Sequence, residues 1–99
     1  MFEWDSRKAK SNRLKHGVSF EEAATAFLDP AGLDGDDLEH SESEARRLRL
    51  AKGRLGRVLV IAYTTRRRGN EEIIRIISAR RAYRNIPFPV QEVGLLGAS

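Results

Sequence analysis

Arg66, Arg75 and Arg80 lie within or just beyond two neighbouring stretches that read as strands, so their side chains can converge on one surface. The planar fork of an arginine pairs with two phosphate oxygens, which suits it to hold charge developing on phosphorus. RNA can be cut without a metal when a base removes the proton of the 2′-hydroxyl, an acid protonates the leaving oxygen and cations stabilise the phosphorane-like charge. A single well-placed group of this kind is worth roughly two to four orders of magnitude in rate. His16 is a candidate acid or base by residue type, since histidine is the side chain suited to proton transfer near neutral pH. Lys15 beside it is a candidate phosphate holder, Glu44 a candidate base, and Lys8, Arg47 and Arg49 further cations for an RNA backbone.

Each candidate also has a plainer reading. Arg66 opens the run Arg66-Arg67-Arg68, which reads as a solvated turn. Arg75 sits between isoleucines, where a structural salt bridge with Glu44 explains it as well as catalysis does. His16 near a helix C-terminus is favoured by the helix dipole alone. Trp4 and Tyr63 are able to stack on bases, whereas Phe20 and Phe27 belong to an apolar stripe and read as core.

The elements that must position these groups begin with Asp5, a cap for a helix over residues 6–16 that Gly17 closes. That helix is polar nearly all round and offers only Ala9 and Leu14 for apolar contact. Ser19 and Glu22 form a capping box for a second helix, with Phe20, Ala23, Ala24, Phe27 and Leu28 as its stripe and Asp29-Pro30 as its stop. Residues 31–43 read as a loop with a short strand around Ala31 to Leu33. From Ala45 the period becomes two: Leu48 and Leu50 alternate with Arg47, Arg49 and Ala51. A turn at Lys52 to Gly56, a strand over Arg57 to Thr65, a turn at Arg66 to Asn70 and a strand over Glu72 to Ala79 complete a meander. The expected architecture is α+β: two N-terminal helices packed on a small antiparallel sheet. Simple alternation puts Arg75 with Ile73 and Ile77 on one face, and Ile74, Ile76, Ser78 and Arg80 on the other.

The 99 residues make one domain, and 40% hydrophobic content supplies a core. Without cysteine there is no disulfide framework, thiolate zinc site or cysteine nucleophile. His40 lies among acids with no second ligand at metal spacing, so neither a metal nor any other cofactor is expected. No stretch approaches ~18 consecutive apolar residues, and the charged start is no signal peptide, so the expected setting is the cytoplasm, away from membranes. The net charge of +4 conceals an asymmetry: residues 51–99 carry ten Lys/Arg against three Asp/Glu, and five cations crowd positions 7–15. Such clusters mark either a polyanionic partner or two solvated surfaces.

Phe2-x-Trp4-Asp5, Lys8, Asn12 and the run Lys15-His16-Gly17-Val18-Ser19-Phe20-Glu21-Glu22-Ala23 resemble the opening of BrnT toxins. Asp29-Pro30, Glu44-x-Arg46, Tyr63-Thr64 with Arg66, and Arg75-Ile76-Ile77-Ser78-Ala79-Arg80-x-Ala82 follow in matching order, so the resemblance spans roughly residues 2–84. It implies a RelE-like fold, ribonuclease activity that halts translation, and pairing with a cognate BrnA-like antitoxin, through which alone the protein would reach DNA. Such a protein would work as a homo-dimer or as a hetero-tetramer with its antitoxin. The family pattern continues into a charged helix, whereas this chain runs Asn85-Ile86-Pro87-Phe88-Pro89, and two prolines so close forbid an ordinary helix. The atypical segment from Ile86 to Leu96 reads as an added strand, an edge cover or part of a partner interface, and Gly94 to Ser99 as a frayed tail.

Two readings follow. One is an endoribonuclease toxin. The other is a catalytically weak protein whose work is to bind the antitoxin in a repressor complex. A plain nucleic-acid-binding module would explain the charge but not the ordered motifs.

Overall fold

The computed structural model describes residues 1–38 and 45–82. His40, Glu44, Tyr83 and the segment from Asn85 onward lie outside the described residues.

The chain starts with a two-residue strand, β1 (Phe2–Glu3), and enters helix α1 (Ser6–His16). The Asp5 carboxylate accepts the backbone N–H groups of Arg7 at 2.8 Å and Lys8 at 3.2 Å, satisfying two donors a helix start leaves open. Gly17 ends the helix at φ 69°, a left-handed conformation that a side chain resists. The inward face differs from expectation. Ala9 touches the core, but Leu14 is 81% exposed, and the buried residue is Asn12. Its amide donates to the Val18 and Ala79 carbonyls at 3.0 and 2.7 Å and accepts the Ala79 N–H at 3.0 Å.

Helix α2 (Phe20–Thr25) runs into a 3-10 turn (Ala26–Leu28), so the expected single helix tightens halfway. The Thr25 hydroxyl donates to the Glu22 carbonyl at 2.6 Å, a local bond that competes with the helical ladder, and Leu28 leaves the stripe for solvent. Half of the capping box forms: Ser19 Oγ accepts the Glu22 N–H at 3.0 Å. The Glu22 carboxylate turns inward to Arg57, whose Nε donates at 3.0 Å and whose Nη2 donates to its other oxygen.

The strands β2 (Leu33–Asp36), β3 (Arg47–Lys52), β4 (Val58–Arg68) and β5 (Glu71–Arg81) join β1 in one sheet of order β1-β5-β4-β3-β2. The predicted β3-β4-β5 meander is present, β2 lies slightly later than expected, and β1 pairs parallel to β5, making the sheet mixed. β4 and β5 extend to a two-residue turn at Gly69-Asn70, with Gly69 at φ 64°. Arg66 therefore lies in a strand, opposite Ile73, and not in the expected turn.

A β-bulge decides the facing of the arginines. Ala62 pairs with Ser78 and Tyr63 with Ile76, so Ile77 is the extra residue on β5 and alternation resets there. Residues 60, 62, 64 and 66 of β4 share one face, and their partners Arg80, Ser78, Arg75 and Ile73 share it with them. Simple alternation had separated Arg80 from Arg75; the bulge puts them on the same side.

The helices cover the opposite face. Val18, Phe20, Ala23 and Ala26 pack there on Ala51, Leu59, Ile61, Ile76 and Ala79, with Trp4 edge-on to Phe20 at 5.9 Å. Full burial of each large side chain contributes about 1.5–3 kcal/mol, so this layer is what holds the helices down. Val60 heads a second cluster with Leu48, Leu50 and Ala82 on the far face.

Candidate phosphate-binding site on the sheet

Arg66 and Arg75 meet on the far face. Their backbones are diagonal neighbours across β4 and β5, and Glu3 of β1 lies directly beside Arg75. Nη2 of Arg66 donates to one oxygen of Glu3 at 2.8 Å and Nη1 of Arg75 to the other at 2.9 Å. The two guanidinium groups are therefore spaced to hold two oxygens of one small anion. Both stay accessible, with side-chain exposures of 54% and 41%, whereas Glu3 is 22% exposed. The hydrogen bond from Arg75, reinforced by Arg66, holds the Glu3 carboxyl below its ordinary value despite some desolvation. Arg75 thus has a carboxylate partner, Glu3, as the plainer reading required; Glu44, the partner expected from sequence, lies outside the described residues.

Arg80 is on the same face but opposite Val60, four residues from Thr64 along β4 and so roughly 13 Å from the Arg75 position by the rise of a strand. It is half-buried and makes no ion pair among the described residues. Lys8, Lys15 and His16 sit on α1, which packs on the other side of the sheet through Ala9. The expected convergence of Lys15 or His16 with the arginines does not occur, because the sheet lies between them. Lys8 and Lys15 are exposed, and Lys15 joins Arg7, Lys10, Ser11 and Leu14 in lining a shallow outer depression.

Arg47 and Arg49 face the helices, not the arginine face, and are held by the protein. Arg49 is 8% exposed: its Nε donates to the Ala26 carbonyl at 3.1 Å, Nη2 to the Asp29 carbonyl at 2.8 Å and Nη1 to Asp34 at 2.6 Å. Its guanidinium lies 5.3 Å from the centre of the Phe27 ring. A Cβ on Gly32 would stand 2.3 Å from Nη2, so a side chain there would have to displace the bonded guanidinium. An RNA contact by Arg49 is ruled out by this burial. Arg47 is partly exposed but bonds Asp36 at 2.9 Å and Tyr63 at 3.3 Å. Tyr63 is buried, donates to Asp34 at 2.6 Å and is edge-on to Phe27 at 5.0 Å, leaving no face for a base. Burial first, then the bond to Asp34, pushes its phenol above the ordinary value and keeps it a donor.

Among the described residues no three His, Asp or Glu side chains converge as they would around a metal ion. No helix of the described residues is long and apolar enough to cross a membrane. Glu3 is the site residue that sequence reasoning missed. Its signal was the alternation Phe2-Glu3-Trp4, which places a carboxylate on the face opposite two aromatic residues.

A small α+β domain with a mixed sheet, helices on one face and paired arginines on the other has the build of a protein that handles phosphate backbones. Residues 4–85 match the family described as ribonuclease toxin, BrnT, of type II toxin-antitoxin system. The chain belongs to the BrnT family. A crystal structure of the ribonuclease toxin BrnT of Brucella abortus shares the fold, with a TM-score of 0.59 and 18% identity over 85% of this chain and 99% of that one. No curated protein matches the sequence. Membership makes this chain a ribonuclease toxin of a type II system, with an antitoxin as partner and RNA as substrate.

Proposed function

We propose that the chain is a metal-independent endoribonuclease that halts translation, acting through Arg66 and Arg75. The observation that carries this reading is their convergence from adjacent strands onto one carboxylate. A scissile phosphate placed there receives two guanidinium groups, whose charge offsets the negative charge that grows as the 2′-oxygen attacks. Arg80 is positioned along the same face to hold a neighbouring phosphate, and the exposed Lys8 and Lys15 to hold backbone that passes around the β1 edge. Arg49 and Tyr63 shape the domain instead. The partner in this reading is a BrnA-like antitoxin that masks the cationic face in the cytoplasm, in a homo-dimeric toxin or a hetero-tetramer, and carries the DNA contact.

Induced expression in a host without the antitoxin tests the reading. Wild type is expected to arrest growth and translation, and Arg66→Ala/Arg75→Ala, folded and equally abundant, to relieve both. Equal arrest by both proteins excludes the arginine pair. Absence of arrest by wild type favours the antitoxin-binding role without cleavage.

A further inference from the structure

We infer that Glu3 is the general base of the cleavage, set between the two arginines that receive the scissile phosphate. The inference rests on the proposed ribonuclease reading and names a residue for a role that reading leaves open.

Each oxygen of Glu3 engages one guanidinium, at 2.8 and 2.9 Å, so the carboxylate occupies the point on which both arginines aim. A phosphate gripped by those arginines must lie within one hydrogen-bonded layer of Glu3, which is where a base for the adjacent 2′-hydroxyl is needed. The carboxylate is held there by backbone: β1 pairs Glu3 with Arg75, and the Met1 carbonyl accepts the Ile74 N–H at 2.8 Å. Among the described residues no other carboxylate forms an ion pair with Arg66 or Arg75.

The resting state and the loaded state then differ in a useful direction. Among the described residues the charged groups that face Glu3 are Arg66 from β4 and Arg75 from β5, and in the free protein both favour its ionised form. When they turn toward phosphate oxygens, the carboxylate loses two donors and gains a neighbouring negative charge. Both changes raise its proton affinity. Glu3 is therefore kept ionised while the site is empty and becomes a better base as substrate arrives.

The step balances without a further reactant. A carboxylate oxygen of Glu3 takes the 2′-hydroxyl proton while the 2′-oxygen forms a bond to phosphorus. The bond from phosphorus to the 5′-oxygen breaks, and that oxygen takes a proton from water. Glu3 then returns its proton to the hydroxide so formed, leaving a 2′,3′-cyclic phosphate and a 5′-hydroxyl.

The test measures kcat and KM of the full chain on a labelled single-stranded RNA of mixed sequence, across the acid and neutral range. Glu3→Gln is expected to lower kcat by about 100-fold or more, to leave KM unchanged or lower, and to abolish the acid limb of the rate profile. Glu3→Asp is expected to retain an acid limb at reduced rate, and formate to restore part of the activity of Glu3→Ala. A carboxylate that only holds the arginines in place predicts the opposite split: KM changes, the acid limb persists and formate has no effect. That result overturns the inference, as does a Glu3→Gln rate within a few-fold of wild type. Should Glu3→Gln not fold, Glu3→Asp decides alone: an acid limb attributable to a carboxylate supports the base, and its absence overturns it. Wild type that cleaves nothing sinks the ribonuclease reading and this inference together, whereas active wild type with active Glu3→Gln sinks only the inference.

Discussion

Asn12 occupies the position on α1 where an apolar side chain would ordinarily face the core, and its amide closes the edge of β5. β1 covers that edge only at Ile74 and Arg75, and Asn12 serves Ala79 further along by donating to its carbonyl and accepting its N–H. A side-chain amide here does the work of one more strand residue. Asn12→Ala leaves an N–H and two carbonyls unpaired in a buried place, which costs about 2–4 kcal/mol when each orphaned group is worth 1–3 and relaxation recovers part. Thermal denaturation is expected to show a fall in Tm of roughly 10–20 °C for a domain of this size. A shift of a few degrees would mean that Asn12 is incidental to the edge. Arg66 and Arg75 are expected to behave differently under the same measurement. Their exposed pairing with Glu3 is of a class worth little to stability, so their removal should leave melting nearly unchanged.

At the scale of elements, the helical layer is fastened to the sheet by a clamp between α2 and the turn that follows β3. Arg57 reaches Glu22, which is 2% exposed, and also donates to the Gly17 carbonyl at 3.0 Å, tying both helices to one point. Arg57→Ala strands a buried carboxylate and is expected to cost about 3–5 kcal/mol in urea unfolding. Adding Glu22→Gln to that variant should recover part of the loss, since the double change removes the unpaired charge. Strict additivity of the two changes would deny the coupling. This clamp shows why the sequence was legible only in part. Ser19 and Glu22 at capping-box spacing announced the helix correctly, yet the Glu22 side chain went to a partner 35 positions away that no local pattern reveals. Likewise the meander was legible from its period of two, and Asp5 and Gly17 marked α1 at both ends. The bulge at Ile77 was not, because an inserted residue leaves no mark in a run of isoleucines. It reverses the facing of Arg80, so the most consequential step in assembling the arginine face was the least visible in sequence. Arg49 misled for a related reason: alternation with leucines looked like an exposed polar face, whereas the leucines line the far face and the arginine enters the helical layer.

The cations of the described residues fall into two populations, one tied into the architecture and one open to solvent. On the helical side, Arg47, Arg49 and Arg57 are bound to Asp36, Asp34 and Glu22 and serve the architecture. On the far side, Arg66 and Arg75 share one carboxylate, and on the outer surface of the helical layer α1 presents Arg7, Lys8, Lys10, Arg13 and Lys15 to solvent. The excess positive charge thus comes from groups free to exchange partners, which is the arrangement a phosphate backbone can exploit. The most direct measurement of this account is cleavage of single-stranded RNA by the purified chain in the presence of a strong chelator, compared with Arg66→Ala/Arg75→Ala of equal stability. Wild type is expected to cleave with the chelator present and to leave cyclic phosphate ends, and the double variant to lose at least about 100-fold in rate. Cleavage that stops on chelation, or that survives loss of both arginines, would contradict it.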